Sequence, residues 1–269
     1  MPRNLKILLA YDGTEYHGWE RQPRDRSLQQ TLEEAVHSLT GQPVRVVASG
    51  RTDAGVHALG QVANFRTEAT YDCATIQKAL NALLPQDIRV LDVADAAEDF
   101  HANYSAKGKM YRYVMCDRAV MDPFLRRYVA HCQRQLDHAL MQEAAQCLVG
   151  THDFSSFETA GAPRSSSVRT IRWIQVFRDS PLRIWQSGES TGSFQASASD
   201  AGCSALLFLE IAADGFLYNM VRSIAGTLMN VGRGFWPATH VRMILESQDR
   251  TRAGPTAPAH GLFLVHLYY

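Results

Sequence analysis

The sequence predicts an α+β fold built from two ferredoxin-like halves that share a mainly antiparallel sheet with a central cleft. Two observations predict it. In the first part of the chain, segments of strand-like and helix-like periodicity follow one another in the order βαββαβ. In the second part the same order returns with longer segments and without residue identity. We therefore expect an N-terminal half over 1–104 and a C-terminal half over 105–269.

The first half is predicted to begin with a strand over 5–11. Ser27 and Gln30 form a capping-box pattern at the start of a helix with apolar residues at helical spacing, and Gly41 is expected to end that helix. The elements expected after it are strands over 44–49 and 61–66, a helix over 75–84 stopped by Pro85, and a strand over 88–93.

The second half shows the same alternation of periods. Its predicted strands are 109–116, 168–177, 205–212 and 262–268. Its predicted helices are 136–148, 216–231 and 239–247. The segment 180–204 is rich in Ser, Gly and Ala and has little periodicity, so we expect a flexible insertion there.

Composition narrows the classes of function. The chain has 269 residues, which is enough to bury a large core. The 27 Lys and Arg residues balance the 27 Asp and Glu residues, so no global charge points to a polyanionic partner. Charge is concentrated locally in the basic stretch, residues 105–134, which holds seven Lys or Arg residues against two aspartates. A charge run of this kind is more often an ordinary solvated surface than a basic face that binds a partner.

Cysteine usage and hydropathy favour a cytoplasmic protein without membrane contact. The five cysteines are scattered and never form a Cys-x-x-Cys pair, which disfavours a disulfide framework or a zinc site. The N-terminus lacks a signal-peptide apolar stretch, and no run approaches membrane-spanning length. The sequence contains no P-loop and no convincing metal-ligand spacing, so we expect no metal, no cofactor and no bound nucleotide cofactor.

The main candidate for an active-site segment is the Asp53 loop, residues 50–58, which lies between two predicted strands. It places Arg51, Asp53 and His57 beside two glycines, which permit positive φ and close approach of the backbone to a ligand. That arrangement suits an active-site carboxylate. Taken alone, however, a Gly-x-x-Asp-x-Gly string is better explained as an ordinary turn in which the aspartate caps backbone N–H groups.

Two further segments have alternative interpretations. The stretch 11–19, followed by several arginines, is either a packed loop around a buried Trp19 or a surface that stacks and holds unpaired nucleotides. Tyr111 and Tyr113 share one face of a predicted strand, with Arg112 on the other. For Tyr113, the β-propensity of tyrosine is explanation enough.

Arg222 stands inside an otherwise apolar helical segment. It either reaches water at the edge of the apolar stripe or pairs with Asp53. Such a pair would favour the ionised carboxylate and typically lowers its pKa by roughly one to three units. The residues alone do not choose between the two.

The joint occurrence of these segments, in this order, resembles the A-type tRNA pseudouridine synthases nearly from end to end. The segments that carry the resemblance are 11–14 with 18–19, 50–57, 100–102, 111–113, 150–154, 220–222, and 256–259 through 261–262. The resemblance implies that Asp53 is the catalytic aspartate and that Arg222 is its partner. It also implies that Tyr111 contacts the target base and that Arg51 helps hold the target out of its helix.

The same resemblance implies an isomerase that converts uridine to pseudouridine at positions 38, 39 and 40 of the tRNA anticodon stem-loop. It further implies a homodimer that binds tRNA across both subunits. His57 is expected to order the loop and not to transfer protons. The chain departs from the family pattern at Glu20, where Gln is usual, at Asn103, where Arg is usual, and in the length of 180–204. Loss of a cation at Asn103 is expected to weaken one phosphate contact or shift it to Lys107.

Two rival functions predict different features. A non-catalytic RNA-binding protein made of RRM-like units requires the Phe/Tyr-rich RNP pattern, which the sequence lacks. An aspartate-dependent hydrolase requires a paired acid or metal ligand close to Asp53, and the nearby His57 and Glu68 form no such arrangement.

Overall fold

The computed structural model describes residues 2–159, 166–187 and 205–269. Contacts divide the chain into a first compact unit, Met1–Lys107 with Phe263–Tyr269, and a second, Gly108–Leu262. Both units combine helices with mainly antiparallel strands, which confirms the α+β fold class. The shared sheet, the central cleft and the domain boundary at 104 and 105 stay predictions.

The helices and strands follow in this order: β1 (Arg3–Tyr11), α1 (Leu28–Thr40), β2 (Val47–Ala48), β3 (His57–Thr67), α2 (Cys73–Leu83), β4 (Ile88–Ala96), β5 (Gly108–Cys116), β6 (Ala130–His131), α3 (His138–Ala145), β7 (Gly150–Asp153), β8 (Val168–Asp179), β9 (Leu206–Ala213), α4 (Met220–Gly232), α5 (His240–Ser247) and β10 (Leu262–Tyr268). The first six elements reproduce the predicted order βαββαβ.

In each unit, a central strand pairs with a neighbouring strand on both sides. In the first unit β1 lies between β3 and β4 and is antiparallel to both, and β2 is antiparallel to β3. The end of the chain joins this unit because β10 pairs with β3 in parallel, Phe263 opposite His57. In the second unit β9 lies between β5 and β8, β7 pairs with β8, and all three pairings are antiparallel.

Local sequence signals account for α1. The Ser27 side chain accepts the N–H of Gln30 at the start of the helix, as the capping pattern predicts. At the other end Gly41 adopts φ 71°, a left-handed conformation that suits glycine, and its N–H donates to the carbonyl of His37. One face of the helix is buried, through Leu28, Leu32, Ala35 and Val36.

Several boundaries differ from the prediction. β3 begins at His57 instead of residue 61, because pairing with β1 extends it as far as Tyr11 opposite Ala58. β2 is shorter than predicted. α4 begins at Met220 instead of residue 216, since Asn219 has φ 60° and cannot belong to the helix. α3 ends at Ala145 and continues as one 3₁₀ turn. The short strands β6 and β7 were not predicted.

The predicted insertion over 180–204 is described only in part. Residues 188–204 lie outside the described residues. Pro181–Trp185 form a 3₁₀ helix, and Ser180 caps it by accepting the N–H of Leu182.

The structure corrects the interpretation of the basic stretch at Arg112, which is completely buried. Its guanidinium contacts Glu210 at 2.7–2.8 Å and donates to the carbonyls of Arg183, Ile184 and Gln186 at 2.6–3.1 Å. Burial lowers the pKa of this guanidinium below its usual value. A buried charge requires partners of this kind, so Arg112 anchors the 3₁₀ helix and does not contribute to a surface.

Within the ranges that the structure describes, no helix is long and apolar enough to cross a membrane. The cysteines at 73, 116, 132 and 147 are free thiols. Burial raises the pKa of the Cys132 thiol to about 11, which makes it a poor nucleophile near neutral pH.

Candidate active site

The Asp53 loop is tied to the first strand and the segment after it. The N–H of Trp19 donates to the carbonyl of Thr52 at 3.0 Å. The Tyr11 hydroxyl and Thr52 Oγ1 lie 2.8 Å apart in a buried contact. At the start of the loop, the side-chain amide of Gln61 donates to the carbonyl of Gly50 at 2.8 Å. These bonds hold the main chain on the N-terminal side of Asp53.

Glycines let two stretches of backbone lie against each other here. Gly18 has φ 88°, and a Cβ at this position would lie 2.7 Å from the carbonyl oxygen of Thr52. A Cβ at Gly13 would collide with the carbonyl of Val56. Gly55 has φ 76°, and its N–H donates to the carbonyl of Tyr16 at 3.3 Å. The close approach therefore depends on residues without side chains.

Asp53 is half-buried, between buried Thr52 and exposed Ala54. Its carbonyl accepts the N–H of Val56 at 3.1 Å, which closes the turn through main-chain atoms. The loop thus combines a fixed backbone with a carboxylate-bearing residue that is accessible in part. Such pre-organisation is what a catalytic carboxylate needs.

His57 is buried at the start of β3. Its ring stacks on Phe263 with centroids 4.8 Å apart, and Nδ1 lies 3.1 Å from both the N–H of Gly13 and Oδ1 of Asp12. The Gly13 bond needs an unprotonated Nδ1, whereas an ion pair with Asp12 needs a protonated one. We assign the first, because the Gly13 N–H is directed at Nδ1 and a backbone N–H can only donate. This placement favours the ordering role of His57.

Arg51 extends from the same loop into solvent and contacts Glu20. Its Nη2 lies 2.7 Å from Glu20 Oε1, and the two side chains are 75% and 50% exposed. Glu20 follows Trp19, which the loop binds through the carbonyl of Thr52. The departure from the family pattern noted at Glu20 therefore lies against a predicted substrate-binding residue.

For Trp19 the packed-loop interpretation is right. Trp19 is 3% exposed, and its ring packs near Tyr11 with centroids 6.3 Å apart. The arginines that follow it, Arg21, Arg24 and Arg26, are exposed and remain candidates for contacts with nucleotides.

In the second unit, Tyr111 lies on β5 opposite Ile211 of β9 and is buried. The edge of one ring meets the face of the other where Tyr111 packs with Phe216, at a centroid distance of 5.1 Å. Tyr113 is fully buried, and its hydroxyl donates to the carbonyl of Pro258 at 2.8 Å. Burial raises the pKa of Tyr113 above its usual value. Tyr113 is thus a core residue, as its β-propensity suggested.

Arg222 is half-buried in the first turn of α4. Its Nε donates to the carbonyl of Ala257 at 2.7 Å, and Nη1 donates to Oδ1 of Asn219 at 2.8 Å. The guanidinium is therefore held in place and does not simply reach water. The ion pair between Arg222 and Asp53 joins residues of different units and stays a prediction.

Lys109 belongs to the basic stretch and has a defined position on β5. It lies two residues before Tyr111 on β5 and so on the same face of the strand. Burial, and then the charge of Arg169, lower its pKa to about 8. In the sequence, the spacing of two residues between Lys109 and Tyr111 indicates that they share a face of the strand.

In the described part of the chain, no group of three His, Cys, Asp or Glu side chains is placed to hold a metal ion.

Comparison with known proteins places this chain in a family. The model of a family described as tRNA pseudouridine synthase matches residues 7–105 and 144–269. Proteins named tRNA pseudouridine synthase A are 43% identical in Acetivibrio thermocellus and 40% identical in Thermoanaerobacter sp. and Caldicellulosiruptor saccharolyticus. Each alignment covers 99% of this chain and 100% of the relative. The chain belongs to the tRNA pseudouridine synthase family.

Proposed function

We propose that this protein is an isomerase that converts uridine to pseudouridine in the anticodon stem-loop of tRNAs, at positions 38, 39 and 40. The observation that carries the proposal is the Asp53 loop, which presents a half-buried aspartate on a fixed backbone in a chain of this family. The names of the relatives support tRNA as the substrate.

The reaction needs little beyond a carboxylate and good positioning. The bond from C1′ to N1 breaks, the base turns, and a bond from C1′ to C5 forms. The C5 proton leaves to solvent and N1 gains a proton. Substrate and product are isomers, so the balance requires no oxidant, reductant or energy source. A carboxylate at Asp53 can act by adding to the sugar or the base, or by taking the 2′ proton.

The target uridine must leave its stack to be reached, at a cost of a few kcal/mol. We assign Tyr111 to contact the displaced base and Arg51 to hold the nucleotide outside its helix. Arg222 is assigned as the support that pairs with Asp53. The packing of Tyr111 on Phe216 and the bonds from Arg222 to Ala257 and Asn219 support these roles, because these contacts orient both side chains before RNA binds.

We further infer a cytoplasmic homodimer that binds tRNA across both subunits, without a nucleotide cofactor and without membrane contact. The dimer and its mode of tRNA binding rest on the family resemblance, and the other parts rest on the cysteine usage, hydropathy and motifs of the sequence. Light scattering during size-exclusion chromatography measures the mass of the protein with and without tRNA. A mass of one chain under both conditions would contradict the dimer while leaving the chemistry untouched.

The function is tested by incubating the purified chain with an unmodified tRNA transcript that carries 5-tritiated uridine. We expect tritium release, and mapping of the product should place pseudouridine at positions 38 to 40. Binding of the transcript without tritium release would support a non-catalytic RNA-binding protein instead. Hydrolysis of a small substrate, without pseudouridine, would support the hydrolase.

A further inference from the structure

The contact between Arg51 and Glu20 is produced by the fold of the first unit. The main-chain bond from Trp19 to Thr52 brings the residue after Trp19 beside the residue before Thr52. The side chains of Glu20 and Arg51 then meet at 2.7 Å, although both are largely exposed. The backbone therefore places these two residues side by side.

Under the proposed function, the N–H groups of Arg51 also bind RNA. A guanidinium that binds RNA presents its N–H groups to phosphate oxygens or base oxygens. In the protein without RNA, Nη2 of Arg51 is already at hydrogen-bond distance from a carboxylate. RNA that takes the Nη2 donor must displace Glu20, and RNA that takes the other donors of the guanidinium lies beside the negative charge of Glu20.

The pair is weak enough to exchange. Ion pairs between exposed side chains contribute little to stability, because water screens them and both side chains lose rotamer freedom.

The other contacts of acidic residues close by in sequence are longer: Arg21 lies 3.6 Å from Glu33, and His17 lies 3.8 Å from Asp25. Of these three contacts, the one between Glu20 and Arg51 is the shortest.

We propose that Glu20 is a positioning residue that holds Arg51 in the RNA-free protein and competes with tRNA for its guanidinium. Binding of tRNA then exchanges a carboxylate for a phosphate or base oxygen on Arg51. This inference rests on the proposed function and adds a residue that sets the affinity for the RNA substrate.

The test measures the affinity for a fluorescein-labelled unmodified tRNA transcript by anisotropy, with Asp53→Asn in every protein so that no turnover occurs. Glu20→Gln keeps the size and one acceptor of the side chain and removes its charge. We expect roughly two- to five-fold tighter binding at low salt. The gain should shrink as salt rises, because screening already weakens the pair in the parent protein.

A double-mutant cycle separates the pair from a general charge effect. In an Arg51→Gln background, Glu20→Gln should no longer tighten binding. The matched control is Glu34→Gln, at an exposed glutamate on α1 whose carboxylate accepts from Gln30 at 2.8 Å, and we expect no change. With Asp53 intact, Glu20→Gln should lower KM by the same factor and leave kcat unchanged, because the pair is broken before the chemical step.

Two results would overturn the inference. One is unchanged or weaker binding by Glu20→Gln. The other is a gain of equal size in the Arg51→Gln background, which would show that any lost negative charge tightens binding. The proposed function fails separately, if the unaltered chain forms no pseudouridine in tRNA.

Discussion

The hydroxyl of Tyr11 and Oγ1 of Thr52 form a buried hydrogen bond of 2.8 Å that joins the end of β1 to the loop carrying Asp53. Burial raises the pKa of Tyr11 to about 12, so the phenol keeps its proton at physiological pH. The position of the candidate catalytic residue therefore depends on a strand far from it in sequence.

Tyr11→Phe removes this hydroxyl and leaves Oγ1 of Thr52 buried without it. We expect a loss of about 1–3 kcal/mol in the free energy of unfolding. The looser loop should also lower kcat. Urea unfolding and tritium release measure the two effects. Tyr71→Phe, at a tyrosine that is 49% exposed, should change neither quantity.

Asp53→Asn keeps the shape of the side chain and removes the carboxylate. We expect tRNA binding to be preserved and isomerisation to fall by about 10³-fold or more. Tritium release from 5-tritiated uridine and anisotropy of labelled tRNA provide the measurements. Retained turnover would exclude Asp53 as the catalytic residue. The control is Asp92→Asn, at an exposed aspartate on β4, which should behave like the parent protein.

Arg222→Ala should cause a large loss of rate with a modest change in tRNA affinity, because the guanidinium is assigned to support Asp53 and not to bind RNA. Its bonds to Ala257 and Asn219 are also lost, so the melting temperature must be measured alongside. A parental rate in a folded Arg222→Ala protein would exclude the proposed ion pair. Arg242→Ala, at an exposed position of α5, is the matched control.

Gly18 and Gly41 both have positive φ, but their surroundings differ. A Cβ at Gly18 would lie 2.7 Å from the carbonyl oxygen of Thr52, whereas nothing lies within 4 Å of a Cβ at Gly41. Gly41→Ala should therefore cost only the backbone strain, about 1–2 kcal/mol, and leave activity unchanged. Gly18→Ala should cost more and reduce kcat by displacing the Asp53 loop. Equal effects of the two substitutions would contradict this account.

Lys109 should make the stability of the protein depend on pH. Its pKa falls from 10.5 to about 8 on folding, through burial and then the charge of Arg169. Below pH 8 the folded state bears the full cost of the charged amine. Between pH 8 and 10.5 the unfolded state binds more protons, so this residue makes stability rise with pH.

Lys109→Met should accordingly raise Tm at pH 7, and the gain should shrink as pH rises from 8 towards 10. Differential scanning fluorimetry across this pH range measures the effect. Lys78→Met, at an exposed position on α2, should give no such trend. A gain that is independent of pH would point to packing and not to the charge.

Elements whose sequence signals lie within their own segment were predicted well. The caps of α1 at Ser27 and Gly41 lie within the segment that they end, so the sequence contains the whole signal. The strand over 262–268 was predicted with its observed bounds. The start of β3 was missed because its pairing with β1 extends it, and the start of α4 was missed because Asn219 adopts an uncommon φ.

The order of elements in the first half, the family and the candidate residues Asp53, Arg51, Tyr111 and Arg222 follow from the sequence alone, because periodicity, caps and motifs are local. Only the tertiary structure showed that Arg112 is a buried anchor, that His57 stacks on Phe263, and that Arg51 meets Glu20. These are contacts between residues far apart in the chain. No local pattern encodes the partner of a side chain, since it depends on which segments the fold brings together.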